Sequence, residues 1–170
     1  EGYADRELTP QDLRRIVADG LAGERLDGQR VLVLIPDGTR TMPMPLMFQV
    51  LTALVGPRAA ALDFLVALGT HQPMSDAHLG RLIGRPVVNG TSGPHRIFNH
   101  EWSRPETFVT LGTIPASEIS QLSGGLLAQD VPVALNRLLV DYDHLIICGP
   151  VFPHEVVGFS GGTKYFVPGV

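Results

Sequence analysis

The 170-residue chain has one cysteine, Cys148, which excludes an internal disulfide framework and a four-cysteine zinc site. No uninterrupted apolar run approaches the roughly 18–20 residues that a membrane-spanning helix requires. No basic segment followed by an apolar one stands at the start, so no secretory signal is visible and a cytoplasmic location is expected. Basic residues are few and scattered: 13 Lys and Arg against 17 Asp and Glu give a net charge of −4. A nucleic-acid partner calls for a positive stripe, and that class is disfavoured. Internal repeats, low-complexity tracts and heptads are missing too.

What is present suits one ordinary domain. Apolar residues make up 44% of the chain and charged ones 18%, enough to bury a core and unlike a disordered tail. The 19 glycines and 14 prolines amount to about a fifth of the chain, against roughly 12% in average usage. That excess implies many tight connections, the kind of loop on which function is often placed. The chain opens at Glu1 rather than Met and stops at Val170 in a Pro-Gly turn, and it reads as a piece of something longer.

Thr9-Pro10-Gln11-Asp12 supplies a cap, a first-turn proline and a first-turn acid for a helix whose Leu13, Ile16, Val17 and Leu21 share one face, with Gly20 and Gly23 ending it. Arg30 to Ile35 is a short apolar run of the sort buried on both faces of a parallel sheet. A helix over Leu46–Val55 and a second buried strand over Leu62–Leu68 follow. Ser75 caps a helix to Ile83, closed by Gly84. Val87–Asn89 and Thr107–Leu111 read as strands, Pro115–Leu122 and Val131–Val140 as helices, and Leu145–Cys148 as the last strand. Strands alternating with helices predict an α/β fold with a mainly parallel sheet flanked by helices.

Three buried runs end in polar, Gly/Pro-rich loops: Asp37 to Arg40, Thr70 to Pro73, and Pro153 to Lys164. In open parallel sheets ligands bind beyond the strands' carboxyl ends. Parallel strands therefore place Asp37, Arg40, His71, His154 and Lys164 along one edge. Arg40 offers a planar fork for a carboxylate or phosphate, and Asp37 can orient it; the plainer alternative is an Asx turn with Arg40 in solvent. Imidazole is the side chain suited to acid/base work near neutrality, which makes His71 and His154 the candidate acid/base pair, although a single strand-end histidine is more often structural. Two bases flanking one substrate are what racemisation or epimerisation requires.

Other motifs carry less. Gly158 to Lys164 invites a phosphate-loop reading, but Thr163 precedes the lysine and Tyr165 follows it, so the nucleotide spacing fails. Lys164 on a glycine turn can instead link covalently to a cofactor or bind an anion; the ordinary alternative is an exposed loop lysine. His100-Glu101 and His154-Glu155 lack the second histidine of a zinc protease, with Arg104 and Gly158 in its place. Asn99-His100-Glu101 can line a pocket, while His78, His95 and His144 read as surface or helix-end residues. Cys148 reads as core filler, and Met42, Met44 and Met47 as packing at a loop–helix junction.

Pro36-Asp37-Gly38-Thr39-Arg40, Ala67-Leu68-Gly69-Thr70-His71-Gln72-Pro73-Met74 and Asn99-His100-Glu101 together resemble the lactate racemase family. The most specific match is Gly149 to Lys164, with its ten-residue step from His154 to Lys164. The resemblance covers nearly the whole chain, in order, as the N-terminal catalytic half of the family fold. It implies a nickel-pincer nucleotide joined covalently to Lys164 through a thioamide, with Asp37 and Thr39 in the cofactor-binding loop. It further implies His71 and His154 as proton acceptors and donors, and Arg40 as the residue placing the substrate, a small 2-hydroxy acid such as lactate. A hydride leaves the 2-carbon for the cofactor and returns to either face. The family's nickel-binding histidine lies beyond Val170, as does a C-terminal domain that closes the cleft. Residues 1–170 are thus expected to form an N-terminal catalytic domain, inactive and nickel-free alone, with that C-terminal domain as partner. The rival readings are a non-catalytic module binding a small anion or nucleotide, and an ordinary lysine Schiff-base enzyme. The racemase reading requires two imidazoles and one amine, distant in sequence, around one cleft.

Overall fold

Thr9 starts the first helix, α1 (Pro10–Leu21), through a reciprocal cap: its hydroxyl accepts the Asp12 N–H at 3.1 Å and the Asp12 carboxylate accepts its N–H at 2.9 Å. Gly20 lies inside this helix rather than at its end. The computed structural model describes residues 2–155 and 158–170. Val156 and Val157, part of the resemblance to the racemase family, and the opening Glu1 lie outside the described residues.

The predicted apolar runs form the sheet. Strand β1 is Arg30–Ile35, followed by α2 (Met44–Leu54), β2 (Ala61–Val66) and α3 (Asp76–Ile83). Then come β3 (Thr91–Ser92), β4 (His95–Asn99), β5 (Phe108–Ile114), α4 (Ala116–Leu122), β6 (Val131–Asn136), α5 (Leu138–Asp141) and β7 (His144–Ile147). A small hairpin of β8 (Phe152–His154) and β9 (Gly158–Ser160) precedes a 3-10 turn over Gly162–Tyr165. The main sheet has the order β3-β4-β2-β1-β7. β1 is parallel to β2 and β7, β2 is parallel to β4, and only the two-residue β3 is antiparallel. This is the expected α/β architecture.

Central β1 is buried on both faces, which explains its unbroken apolar sequence. Val31, Val33 and Ile35 join Phe64 and Val66 under Phe48 and Leu51 of α2 and Leu79 and Ile83 of α3. Leu32 and Leu34 face the other way, with Leu65, under Leu139, Tyr142, Tyr165 and Val170. Each such side chain contributes about 1.5–3 kcal/mol on removal from water. The Phe48 and Phe64 rings pack at a 40° tilt with centroids 4.7 Å apart. Ser75 and Gly84 cap α3 as expected, Gly84 in the left-handed conformation at φ 70°.

Three expectations are corrected. Val131–Val140 is not a helix: β6 pairs antiparallel with β5, and one turn, α5, follows. Val131, Val133 and Leu135 are half-buried while Pro132 and Ala134 are exposed, an alternation of period two that fits a strand. Val87–Asn89 is no strand; Val88 makes one isolated bridge to Thr91, and Asn89 (φ 49°) and Gly90 (φ 68°) turn the chain. The strand in that region is β4, so His95 is a half-buried sheet residue whose Nδ1 lies 2.7 Å from the Leu62 carbonyl oxygen. His144 likewise opens β7. Cys148 is buried core, and burial pushes its thiol up to about 11. No helix among the described residues is long and apolar enough to cross a membrane.

Candidate active site

β1, β2 and β7 run the same way, so the loops after them meet at one edge. Pro36 ends β1, and Asp37 turns its carboxylate back into the fold, where it is 8% exposed. Its Oδ1 accepts the Thr39 N–H at 3.0 Å and the Thr39 hydroxyl at 2.5 Å, so the Asx turn is real. Its Oδ2 takes a third bond, 2.6 Å from His71 Nδ1. An ionised carboxylate can only accept, so His71 Nδ1 carries the hydrogen of this bond, and in the neutral ring Nε2 is then the nitrogen with the lone pair. Burial pushes the Asp37 carboxyl up, but the Thr39 and His71 hydrogen bonds together outweigh it and hold the group below its ordinary value.

After β2 the chain needs a left-handed residue, supplied by Gly69 at φ 56°, whose N–H donates to the Gly169 carbonyl at 2.9 Å. That bond brings the last residues of the chain against the loop that carries His71. After β7, Gly149 packs on Tyr165: a Cβ there would lie 1.8 Å from the phenol oxygen. In the segment expected as a loop, Pro153 to Lys164, the described residues include the paired strands β8 and β9 and the turn after them. Phe152 pairs with Ser160 and His154 with Gly158, so Phe152, His154 and Ser160 share one face. Gly161 (φ 79°) and Gly162 (φ 59°) then reverse the chain. No side chain fits at Gly161, where a Cβ would stand 2.1 Å from the Pro150 carbonyl oxygen.

These loops enclose a cleft of about 520 Å³ whose wall includes Asp37, Thr39, Arg40, His71, His154 and Lys164. All six residues singled out from the sequence therefore share one cavity. Arg40 stands exposed at the mouth, its guanidinium 5.9 Å from the centre of the Phe152 ring. Lys164 is half-buried and its Nζ donates to the Phe159 carbonyl. His154 Nδ1 lies 3.8 Å from an exposed Glu155 carboxylate. Asn99 and His100 do not enter the cleft wall. Buried His100 accepts the Asn136 amide at Nδ1 (3.0 Å), and burial lowers its pKa, keeping it neutral.

Sequence reasoning missed Tyr165, Ser160 and Thr70 in the wall. Burial pushes the Tyr165 phenol up to about 12, so it stays uncharged. The signal for Tyr165 was its place directly after Lys164, an aromatic with a polar tip beside a glycine turn. Chemically, the cleft offers two imidazoles, a guanidinium, an amine and one carboxylate already engaged by its neighbours. That balance suits a small anion bearing a proton to be moved. Among the described residues no group of three or more His, Cys, Asp or Glu could hold a metal ion.

Comparison with known proteins bears on the family and the fold. Residues 13–170 match the lactate racemase N-terminal domain. Lactate racemases of Lactiplantibacillus plantarum and Thermoanaerobacterium thermosaccharolyticum are each 26% identical, over 98% and 96% of this chain respectively. The chain spans 36% of the length of each of them. A crystal structure of a Thermotoga maritima protein superposes with a TM-score of 0.82 at 30% identity, over 96% of this chain and 38% of that one. With its match covering all but the first twelve residues, the chain belongs to the lactate racemase N-terminal domain family.

Proposed function

We propose that this chain forms the proton-transfer and cofactor-anchoring part of a cytoplasmic isomerase that racemises or epimerises a 2-hydroxy acid such as lactate. The observation that carries the reading is the convergence of His71, His154, Arg40 and Lys164 on one cleft. The curated relatives named lactate racemase support the isomerase class.

In this reading Arg40 binds the substrate carboxylate at the cleft mouth, where a planar fork gives two parallel hydrogen bonds. His71 takes or returns the hydroxyl proton at Nε2, because Nδ1–H is committed to Asp37. Asp37 keeps its negative charge and stabilises the imidazolium that results. His154, on the β8–β9 hairpin, does the same for the opposite enantiomer, so each face of the 2-carbon has its own base. Lys164 is the attachment point for a nickel-pincer nucleotide. The residues present fit that attachment: an amine stands on the cleft wall beside a glycine turn too tight at Gly161 to admit a side chain. Among the described residues they supply no cluster of three or more metal-ligating side chains. Hydride acceptance and return at the 2-carbon is the chemistry that such a bound nucleotide supplies.

The test is mass spectrometry of the full-length protein produced with the cofactor-synthesis machinery and nickel. The expected result is a mass adduct on the peptide containing Lys164, with racemisation abolished in Lys164→Ala. An unmodified Lys164, or undiminished activity in that variant, overturns the cofactor assignment. Calorimetric binding of 2-hydroxy acids without turnover in the complete, loaded protein turns the assignment to a binding module.

A further inference from the structure

His71 sits on a loop with little to hold it from within: the one main-chain bond that its own N–H makes is to the Leu68 carbonyl, at 2.9 Å. The loop is held instead by the exit of β4. Asn99 accepts the Met74 N–H at 2.9 Å and donates its amide to the Met74 carbonyl at 3.0 Å. Three residues later the indole N–H of Trp102 donates to the main-chain carbonyl of His71 itself, at 3.0 Å. Trp102 is the only tryptophan in the chain and is 36% exposed, so its N–H is not simply hiding in a core. Its own backbone is anchored, with its N–H on the His100 carbonyl at 3.0 Å and His100 buried against Asn136 and Phe108. The Glu101 carbonyl accepts the Thr107 hydroxyl at 3.0 Å and its carboxylate pairs with Arg104 at 2.8 Å.

We propose that Trp102 is a positioning residue for His71: its indole N–H fixes the main chain at residue 71 so that the ring keeps Nδ1–H on Asp37 and presents Nε2 for proton transfer. The two contacts act on different parts of one residue, Asp37 on the ring and Trp102 on the carbonyl. Either alone leaves a rotation free, because the His71 side chain is 57% exposed and solvent competes for its nitrogens. The inference rests on the proton-transfer role given to His71 above. Proton transfer is sensitive to such placement, since a displacement of about 1 Å can lower a rate roughly a hundredfold.

The first experiment uses this chain labelled with 15N-histidine, comparing wild type with Trp102→Phe above neutral pH by long-range 1H–15N spectra. Wild-type His71 is expected to show one tautomer, protonated at Nδ1, and Trp102→Phe a mixture of both tautomers. An unchanged tautomer in the folded variant overturns the proposal. Should Trp102→Phe fail to fold, hydrogen exchange of the single wild-type indole N–H decides. Protection of more than about tenfold over free indole, as expected of a donor held in a hydrogen bond, supports the contact; exchange at the free rate overturns it. In the full-length cofactor-loaded enzyme, Trp102→Phe is expected to lower kcat about tenfold with KM within about twofold. An unchanged kcat overturns the positioning role. A wild-type enzyme without racemase activity sinks the functional reading, while the tautomer and exchange results still test the contact.

Discussion

The two edges of the sheet each carry a buried aspartate, and they are used differently. Asp63, at the amino-terminal side of β2, is 2% exposed and accepts four hydrogen bonds. The Arg96 N–H, Nε and Nη2 reach it at 2.7, 2.9 and 2.7 Å, and the Tyr142 hydroxyl at 2.6 Å. The Arg30 guanidinium covers the Tyr142 ring at 4.7 Å. Each member of this network is answered by another, and it joins β2 to β4 and to the turn before β7. Asp37, at the opposite edge, is buried almost as well but ends in a half-exposed imidazole whose second nitrogen has no part in the bond. A polar network closed on itself ties strands together; one that stops at an accessible nitrogen leaves a group available for chemistry.

Removing the carboxylate at each edge separates these roles. Asp63→Ala leaves the buried Tyr142 phenol without its acceptor, at a cost of about 1–3 kcal/mol, while the Arg96 side chain is 48% exposed and can turn to water. Urea denaturation should show a loss of that size. Asp37→Ala releases Thr39 and His71, both exposed enough to find water, so the expected loss is only about 1 kcal/mol. In the complete enzyme the same Asp37→Ala is expected to depress activity far more than stability, whereas an Asp63 variant that remains folded should retain turnover. Equal destabilisation by both would break the comparison.

The site was more legible in the sequence than much of the fold around it. Asp37, Arg40 and His71 follow apolar runs whose burial on both faces is written in consecutive residues, and the parallel-sheet rule then places them together. α1 and α3 were legible because Thr9, Asp12, Ser75 and Gly84 act within a few residues of themselves. β6 was misread because its partner β5 pairs with it across 17 to 28 positions and its alternation is blurred by Pro132 and Ala134. β4 was passed over because a single buried residue, Ile97, marks its sheet face. Asp63, Arg96 and Tyr142 gave no local sign of one another, being separated by 33 to 79 positions. Trp102 was likewise invisible as a neighbour of His71, since its contact is to a main-chain oxygen, which no side-chain pattern encodes.

Acid titration gives the finest discrimination between the two edges. Burial pushes the Asp63 carboxyl up, but hydrogen bonds from Arg96 and Tyr142 outweigh it and leave the group below its ordinary value in the folded chain. A depressed folded pKa means that the unfolded chain binds the proton first on acidification. The stabilisation is therefore complete above an unfolded value of about 3.9 and is lost as pH falls through the lower folded value. Asp63→Asn has no proton to take up at that position. The stability gap between wild type and this variant should hold constant from pH 7 to 5, then close below pH 4 by up to about 1.4 kcal/mol per pH unit. Urea denaturation at half-unit steps from pH 5 to 3 measures it. A gap that stays constant to pH 3 would mean that Asp63 titrates alike in both states, and that its four hydrogen bonds favour the charged form no more than water does.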